Sequence, residues 1–206
     1  MINSAITLAM TGASGSRYGL RLLELLLRHQ VNVYLLISNP GRMVIQSEVG
    51  LSLSSRPAEI KQAIGSHLDV DTTRLEVFAR EDWSAPIASG SNVARAMVVC
   101  PCTSGTLGAI ATGASRTLLE RAADVILKER KQLILVVRET PFSILHLENM
   151  LTLARAGATI MPANPGFYNR PERVSDLVDF MVARVLDHIG IENDLAPRWG
   201  NELSAE

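Results

Sequence analysis

The residues able to do chemistry gather where short apolar runs end. An arginine and a glutamate stand together in Arg138-Glu139-Thr140-Pro141, directly after the run Leu133–Val137. Glycines and hydroxyls fill Thr11-Gly12-Ala13-Ser14-Gly15 after Ala5–Met10, and Ser38-Asn39-Pro40 follows Val31–Ile37. Ala96–Cys100 runs into Pro101-Cys102-Thr103-Ser104-Gly105-Thr106, and Ala158–Met161 into Pro162-Ala163-Asn164-Pro165-Gly166-Phe167-Tyr168. Small hydroxylated residues at a helix start expose backbone N–H groups and the positive end of the helix dipole, an arrangement suited to phosphate. Turn chemistry accounts for each such segment alone, but it explains the charged pair Arg138-Glu139 poorly. Other cations need more care. Arg121 and Lys128 lie seven apart on one helical face, Arg184 falls on the last helix and Tyr168 in the Pro/Gly loop. A single surface Arg or Lys is usually a solvated charge; only Arg138 stands out by position.

The first exit is not a dinucleotide fingerprint. Its glycines are Gly12, Gly15 and Gly19, and the second run ends in Ser38-Asn39 without an acid to grip a ribose hydroxyl, which disfavours NAD. A mononucleotide such as FMN, held also by the helix start at Thr103–Thr106, fits better. ATP is disfavoured because no Walker lysine follows the glycines. Ser14 lacks the following glycine of a hydrolase elbow, since position 16 is Ser16. His29, His67, His146 and His188 are scattered without metal-ligand spacing, and Cys100 and Cys102 have no second pair to complete a zinc site. The two cysteines read as small buried residues at a strand exit in a reducing compartment. A net charge of −1 provides no global basic field, so neither nucleic acid nor an anionic membrane is expected as partner. The start of the chain lacks a basic leader and a long apolar run, which gives a cytoplasmic expectation.

The elements that must position these residues alternate strand and helix. Hydrophobic residues make up 47% of the 206 but aromatics only 4%, an aliphatic bias suited to parallel strands covered on both faces. Strands are expected at Ala5–Met10, Val31–Ile37, Leu75–Phe78, Ala96–Cys100, Leu133–Val137 and Ala158–Met161. Helices are expected at Ser16–Gln30, Gly41–Val49, Ala58–His67, Thr106–Ala111, Leu118–Lys131, Ile144–Ala156 and Val174–Ile189. This order predicts an α/β fold: a doubly wound, mainly parallel sheet, Rossmann-like or flavodoxin-like, in a single domain over residues 1–206. Residues from about 194 read as an arm. The strand exits of such a sheet line up along one edge, where ligands bind. Leu20–Leu27 is apolar nearly all round, which admits either a helix sunk against the sheet or a subunit interface.

Gly12-Ala13-Ser14-Gly15, Pro101–Thr106, Arg138-Glu139-Thr140-Pro141 and Pro162–Tyr168 together resemble the UbiX flavin prenyltransferase family, in order along the chain from about residue 5 to 200. The resemblance implies an enzyme that takes reduced FMN and dimethylallyl monophosphate. It joins prenyl C1′ to flavin N5 and C3′ to C6 without metal, making the cofactor of UbiD-type decarboxylases, one of them in ubiquinone biosynthesis. Carried over, Gly12, Ala13, Ser14, Ser38, Thr103, Ser104, Gly105, Thr106 and Arg138 hold FMN. Ser89, Arg121, Lys128, Glu139, Tyr168 and Arg184 surround the prenyl phosphate, some from a neighbouring subunit of a homo-oligomer built from trimers, commonly a dodecamer. Trp83 and Trp199 supply aromatic walls. Arg and Lys would take the place that magnesium holds in prenyltransferases that use diphosphate, since the chain has no Asp-rich motif to bind it. Glu139 would hold or relay a phosphate proton, and Ser14 and Glu48 would remove or relay the N5 proton. Flavin-dependent cysteine decarboxylases share the fold but rely on a histidine after the second strand, where this chain carries Glu48. Such a decarboxylase and a non-enzymatic FMN-binding module are the alternatives.

Overall fold

The computed structural model describes residues 4–197. Six strands form one sheet: β1 (Ile6–Met10), β2 (Val33–Ile37), β3 (Leu75–Val77), β4 (Ala96–Cys102), β5 (Gln132–Val137) and β6 (Thr159–Ile160). The seven helices are α1 (Ser16–Arg28), α2 (Asn39–Val49), α3 (Pro57–Leu68), α4 (Ser104–Ala111), α5 (Leu118–Lys128), α6 (Ile144–Arg155) and α7 (Val174–His188). The strand order is β3-β2-β1-β4-β5-β6 and every pairing is parallel. This is the Rossmann order rather than the flavodoxin one, with its switch point between β1 and β4.

Alternation along the strands builds two cores. Ile6, Leu8 and Met10 of β1, with Val98 and Cys100 of β4 and Val136 of β5, join the apolar faces of α1, α3 and α7. Ala9, Met97, Val99, Leu133 and Leu135 point the other way and meet α4, α5 and Leu153 of α6. Period-two alternation with both faces apolar is why the strands read as continuous hydrophobic runs.

The Leu20–Leu27 segment resolves in favour of the core: Leu20, Leu22, Leu23, Leu26 and Leu27 are all buried within one chain. Gly19 lets α1 come so close, since a Cβ there would lie 2.3 Å from the Cys100 carbonyl oxygen. Apolar surface without a partner appears instead on α6, where Ile144 and Leu145 are 73% and 69% exposed.

Element ends depart from expectation for identifiable reasons. α1 and α5 stop earlier, before the left-handed residues Gln30 (φ 57°) and Arg130 (φ 54°). β4 continues two residues further, through Pro101, because the register with β5 shifts between Val99 and Cys102 and a proline is tolerated at such an irregularity. Leu195 packs against the core; most of the arm expected from about residue 194 lies outside the described residues. Both cysteines are buried and unbridged, and burial pushes the Cys102 thiol up to about 12.

Candidate active site

Thr11 joins the two halves of the sheet at the switch point. Its hydroxyl donates to the Pro101 carbonyl (2.7 Å) and accepts from the Thr103 amide (2.9 Å). The crevice beside it opens into a cavity of about 490 Å³ at the carboxyl ends of β1–β4. Three helices begin on its wall, each with a hydroxyl cap. Ser38 accepts from the Gly41 amide (3.0 Å), Thr103 from Thr106 (3.1 Å) and Thr117 from Glu120 (3.3 Å). Leu36, Phe78 and Leu119 supply apolar walls. Of the expected FMN ligands, Gly12, Ser38, Thr103, Gly105 and Thr106 line this cavity. Ala13, Ser14, Ser104 and Arg138 do not line it, and Ala13 is buried.

Sequence reasoning missed Arg80, Thr117 and Glu120, which also line the cavity. The signal available was the exit of β3, Ala79-Arg80-Glu81, which places an arginine just after a strand as the β5 exit does.

The start of α1 departs from expectation. Its amides do not face an open phosphate cradle, because the Glu48 carboxylate reaches across from α2. Gly15 and Ser16 donate their N–H groups to it at 2.8–3.1 Å and the Ser16 hydroxyl adds a bond of 2.7 Å. Ser14 also hydrogen-bonds Glu48. Burial raises the Glu48 pKa, but the bonds from Ser14, Ser16 and Gly15 outweigh it and hold the carboxyl below its ordinary range. Sequence spacing places Glu48 on α2; that it caps another helix is a tertiary fact.

On the other side of the switch point, Glu139 accepts from the Ser104 hydroxyl (3.1 Å), so the β5 exit is tied to the start of α4. The neighbouring Arg138 has its Nε atom buried with no hydrogen-bond partner. An orphaned guanidinium nitrogen is costly unless something fills its place. Hydroxyl caps, apolar walls and this donor suit a planar heterocycle carrying a phosphate tail, as FMN is.

The remaining candidates form two further groups. Tyr168 and Arg184 line one hollow of about 810 Å³, with Tyr168 edge-on to Phe180 at 5.6 Å and Arg184 bonded to Asp187 at 3.0 Å. Ser89, Arg121 and Lys128 gather elsewhere: Arg121 donates to the Ala88 carbonyl (3.1 Å), and a Cβ at Gly90 would lie 2.8 Å from Lys128 Nζ. Lys128 ends α5, roughly 15 Å along the helix from Leu118 at 1.5 Å per residue. One chain therefore does not bring Lys128 to the cavity at the other end. Trp83 is half exposed on the loop after β3, and Trp199 lies outside the described residues. Among the described residues, no group of three His, Cys, Asp or Glu side chains is placed to hold a metal.

Fold and site together define an α/β flavoprotein, and the family model described as "Flavoprotein" matches residues 2–186. The chain is 52% identical over 197 residues to the flavin prenyltransferase UbiX of Pseudomonas aeruginosa, covering 96% of this chain and 94% of that protein. A solved structure of AnUbiX (PadA1) in complex with FMN and dimethylallyl pyrophosphate superposes with a TM-score of 0.85 at 38% identity, covering 97% of this chain and 98% of that one. A dodecameric FMN-dependent UbiX-like decarboxylase from Escherichia coli O157:H7 gives 0.85 at 39% identity, covering 96% and 100%. The chain belongs to the UbiX flavin prenyltransferases, within the flavoprotein family.

Proposed function

We propose that this chain transfers a dimethylallyl group from dimethylallyl monophosphate to reduced FMN, in a site completed by a neighbouring subunit. The single observation that carries the reading is the coupled exit Arg138-Glu139. It sets an unpartnered buried donor and a carboxylate bonded to Ser104 beside a cavity of flavin character.

Bound reduced FMN supplies the nucleophilic positions N5 and C6. The protein's task is to take away charge and protons. Breaking the allylic C–O bond sends the electron pair to phosphate, and Arg138 with Arg184 stabilises the developing dianion without a metal. Glu139 holds a proton on the phosphate, whose second pKa lies near ~6. Ser14 takes the proton released at N5 and passes it to Glu48, to which it is already hydrogen-bonded. Ser38 and Thr103–Thr106 position the flavin, and Trp83 covers the allyl cation by cation–π attraction.

The position of Lys128 supports a shared site: it ends α5, away from its own cavity, and neither Ser89 nor Arg121 lines that cavity. The exposed apolar side of α6 supports a homo-oligomer, and a dodecamer built from trimers is the form proposed. A UbiD-type decarboxylase, including one in ubiquinone biosynthesis, would receive the product. Two unbridged thiols suit a cytoplasmic setting.

The test is anaerobic incubation of the protein with reduced FMN and dimethylallyl phosphate in chelator, followed by mass spectrometry. A flavin heavier by one prenyl unit is expected; unchanged FMN would refute the reading. Replacing the monophosphate by the diphosphate in a parallel sample decides which ester is used.

A further inference from the structure

We infer that Arg80 grips the phosphate tail of the flavin and so decides that the acceptor is a flavin phosphate ester rather than a bare flavin. The inference rests on the flavin reading of the 490 Å³ cavity. Arg80 lines that cavity from the exit of β3, the outermost strand on its side of the sheet. Only its backbone is engaged: the carbonyl accepts from the Leu118 amide at 2.8 Å. Among the described residues its guanidinium forms no ion pair or hydrogen bond, although Glu120 lines the same cavity.

Glu120 keeps its charge, but its carboxylate turns to the Arg116 amide at 2.7 Å rather than to Arg80. Arg80 is thus an exposed cation without an ion-pair partner among the described residues, beside a cavity into which the starts of α2, α4 and α5 also direct positive field. A dianionic monoester is the charge this arrangement lacks, and the planar guanidinium can bind two of its oxygens.

Orientation follows from where the chemistry sits. The proton-relay pair Ser14–Glu48 meets at the exit of β1, where Glu48 reaches in from the last turn of α2, and Glu139 stands at the exit of β5. β3 lies two strands from β1 and four from β5, roughly 10 and 19 Å at ~4.8 Å per strand. A flavin with its reacting ring near Ser14 and Glu139 directs its ribityl chain toward Arg80. The tail and the prenyl phosphate then occupy opposite ends, so the two anions do not compete for one set of cations.

Titration of the purified full chain with oxidised FMN and with riboflavin, by flavin fluorescence, tests this directly. Arg80→Ala is expected to weaken FMN roughly tenfold or more and to leave riboflavin within about twofold, with Arg80→Lys intermediate. The salt dependence of FMN affinity should flatten in Arg80→Ala. Equal losses for both ligands, or no loss for FMN, would overturn the assignment. A wild-type chain binding neither flavin would overturn the cavity reading along with it. If Arg80→Ala does not fold, Arg80→Gln gives the same comparison with the side-chain volume kept.

Discussion

The flavin cavity and the ring of prenyl-phosphate residues are built in opposite ways. The cavity is assembled by one chain from consecutive strand exits, each only a few residues long and each pinned by a helix cap or by the Thr11 bridge. The phosphate residues are dispersed: Glu139 at the β5 exit beside the flavin ligand Arg138, Tyr168 and Arg184 around a second hollow, Ser89 and Arg121 by the first turn of α5, and Lys128 at its far end. Topology alone brings the first set together. The second set converges only if another copy is added, so substrate turnover, but not flavin binding, should depend on assembly.

The sharpest way to break this comparison is at its hinge, Arg138-Glu139. Arg138→Ala and Glu139→Ala should each lower prenyl transfer by about 10²–10³-fold, the usual cost of losing a group aimed at developing charge. Flavin titration of Glu139→Ala should stay close to wild type. A Glu139→Ala protein that loses prenyl transfer yet keeps its biological activity and its bound FMN would favour the non-enzymatic flavin module.

Next in size is complementation. Lys128→Ala and Arg184→Ala homo-oligomers should each lose about tenfold to a hundredfold in rate, as expected for removal of one charged contact to phosphate. Dissociating and reassembling an equal mixture should restore roughly a quarter of the sites, because half-sites from two copies then meet by chance with both partners intact. No recovery would place both residues in one chain's site and dissolve the contrast between the two regions.

A smaller effect probes the cavity's rigidity. Gly19→Ala places a Cβ 2.3 Å from the Cys100 carbonyl, and overpacking of that kind typically costs about 1–3 kcal/mol. Chemical denaturation should show the loss, with flavin affinity falling as β4 and its exit shift. Unchanged stability would mean α1 can move off the sheet without disturbing the switch point.

The same contrast explains what the sequence disclosed. Strand–helix alternation, buried runs such as Met97–Val99 and the small-residue exits gave the layer architecture and most of the cavity wall, because these depend on local period and on turn chemistry. Ser38 and Thr103 were legible as hydroxyls at strand exits. Arg80 was not, because β3 is only three residues long and its exit carries charges that look solvated. Glu48 was legible as an acid on α2, but not as the cap of α1, because that bond joins residues more than thirty apart. The parting of Lys128 from Arg138 is likewise invisible to spacing, since it follows from where α5 ends relative to the sheet.

Glu48 carries the mildest and most specific expectation, because it belongs to both the scaffold and the chemistry. Its folded-state pKa is depressed: burial opposes ionisation, but the Ser14, Ser16 and Gly15 bonds prevail. A depressed carboxyl binds protons less well when folded, so its stabilisation is present above the unfolded value of about 4.3 and lost as pH falls through the lower folded value. Wild type should exceed Glu48→Gln by about 1 kcal/mol near neutrality, the ordinary worth of a helix cap, and the gap should close in acid below pH ~4.3. Urea denaturation across that range measures it. Turnover separates the two roles: a residue that only capped α1 would shift stability and leave the pH profile of prenyl transfer unchanged. A relay partner for Ser14 must also alter the acid limb of that profile in the Gln variant.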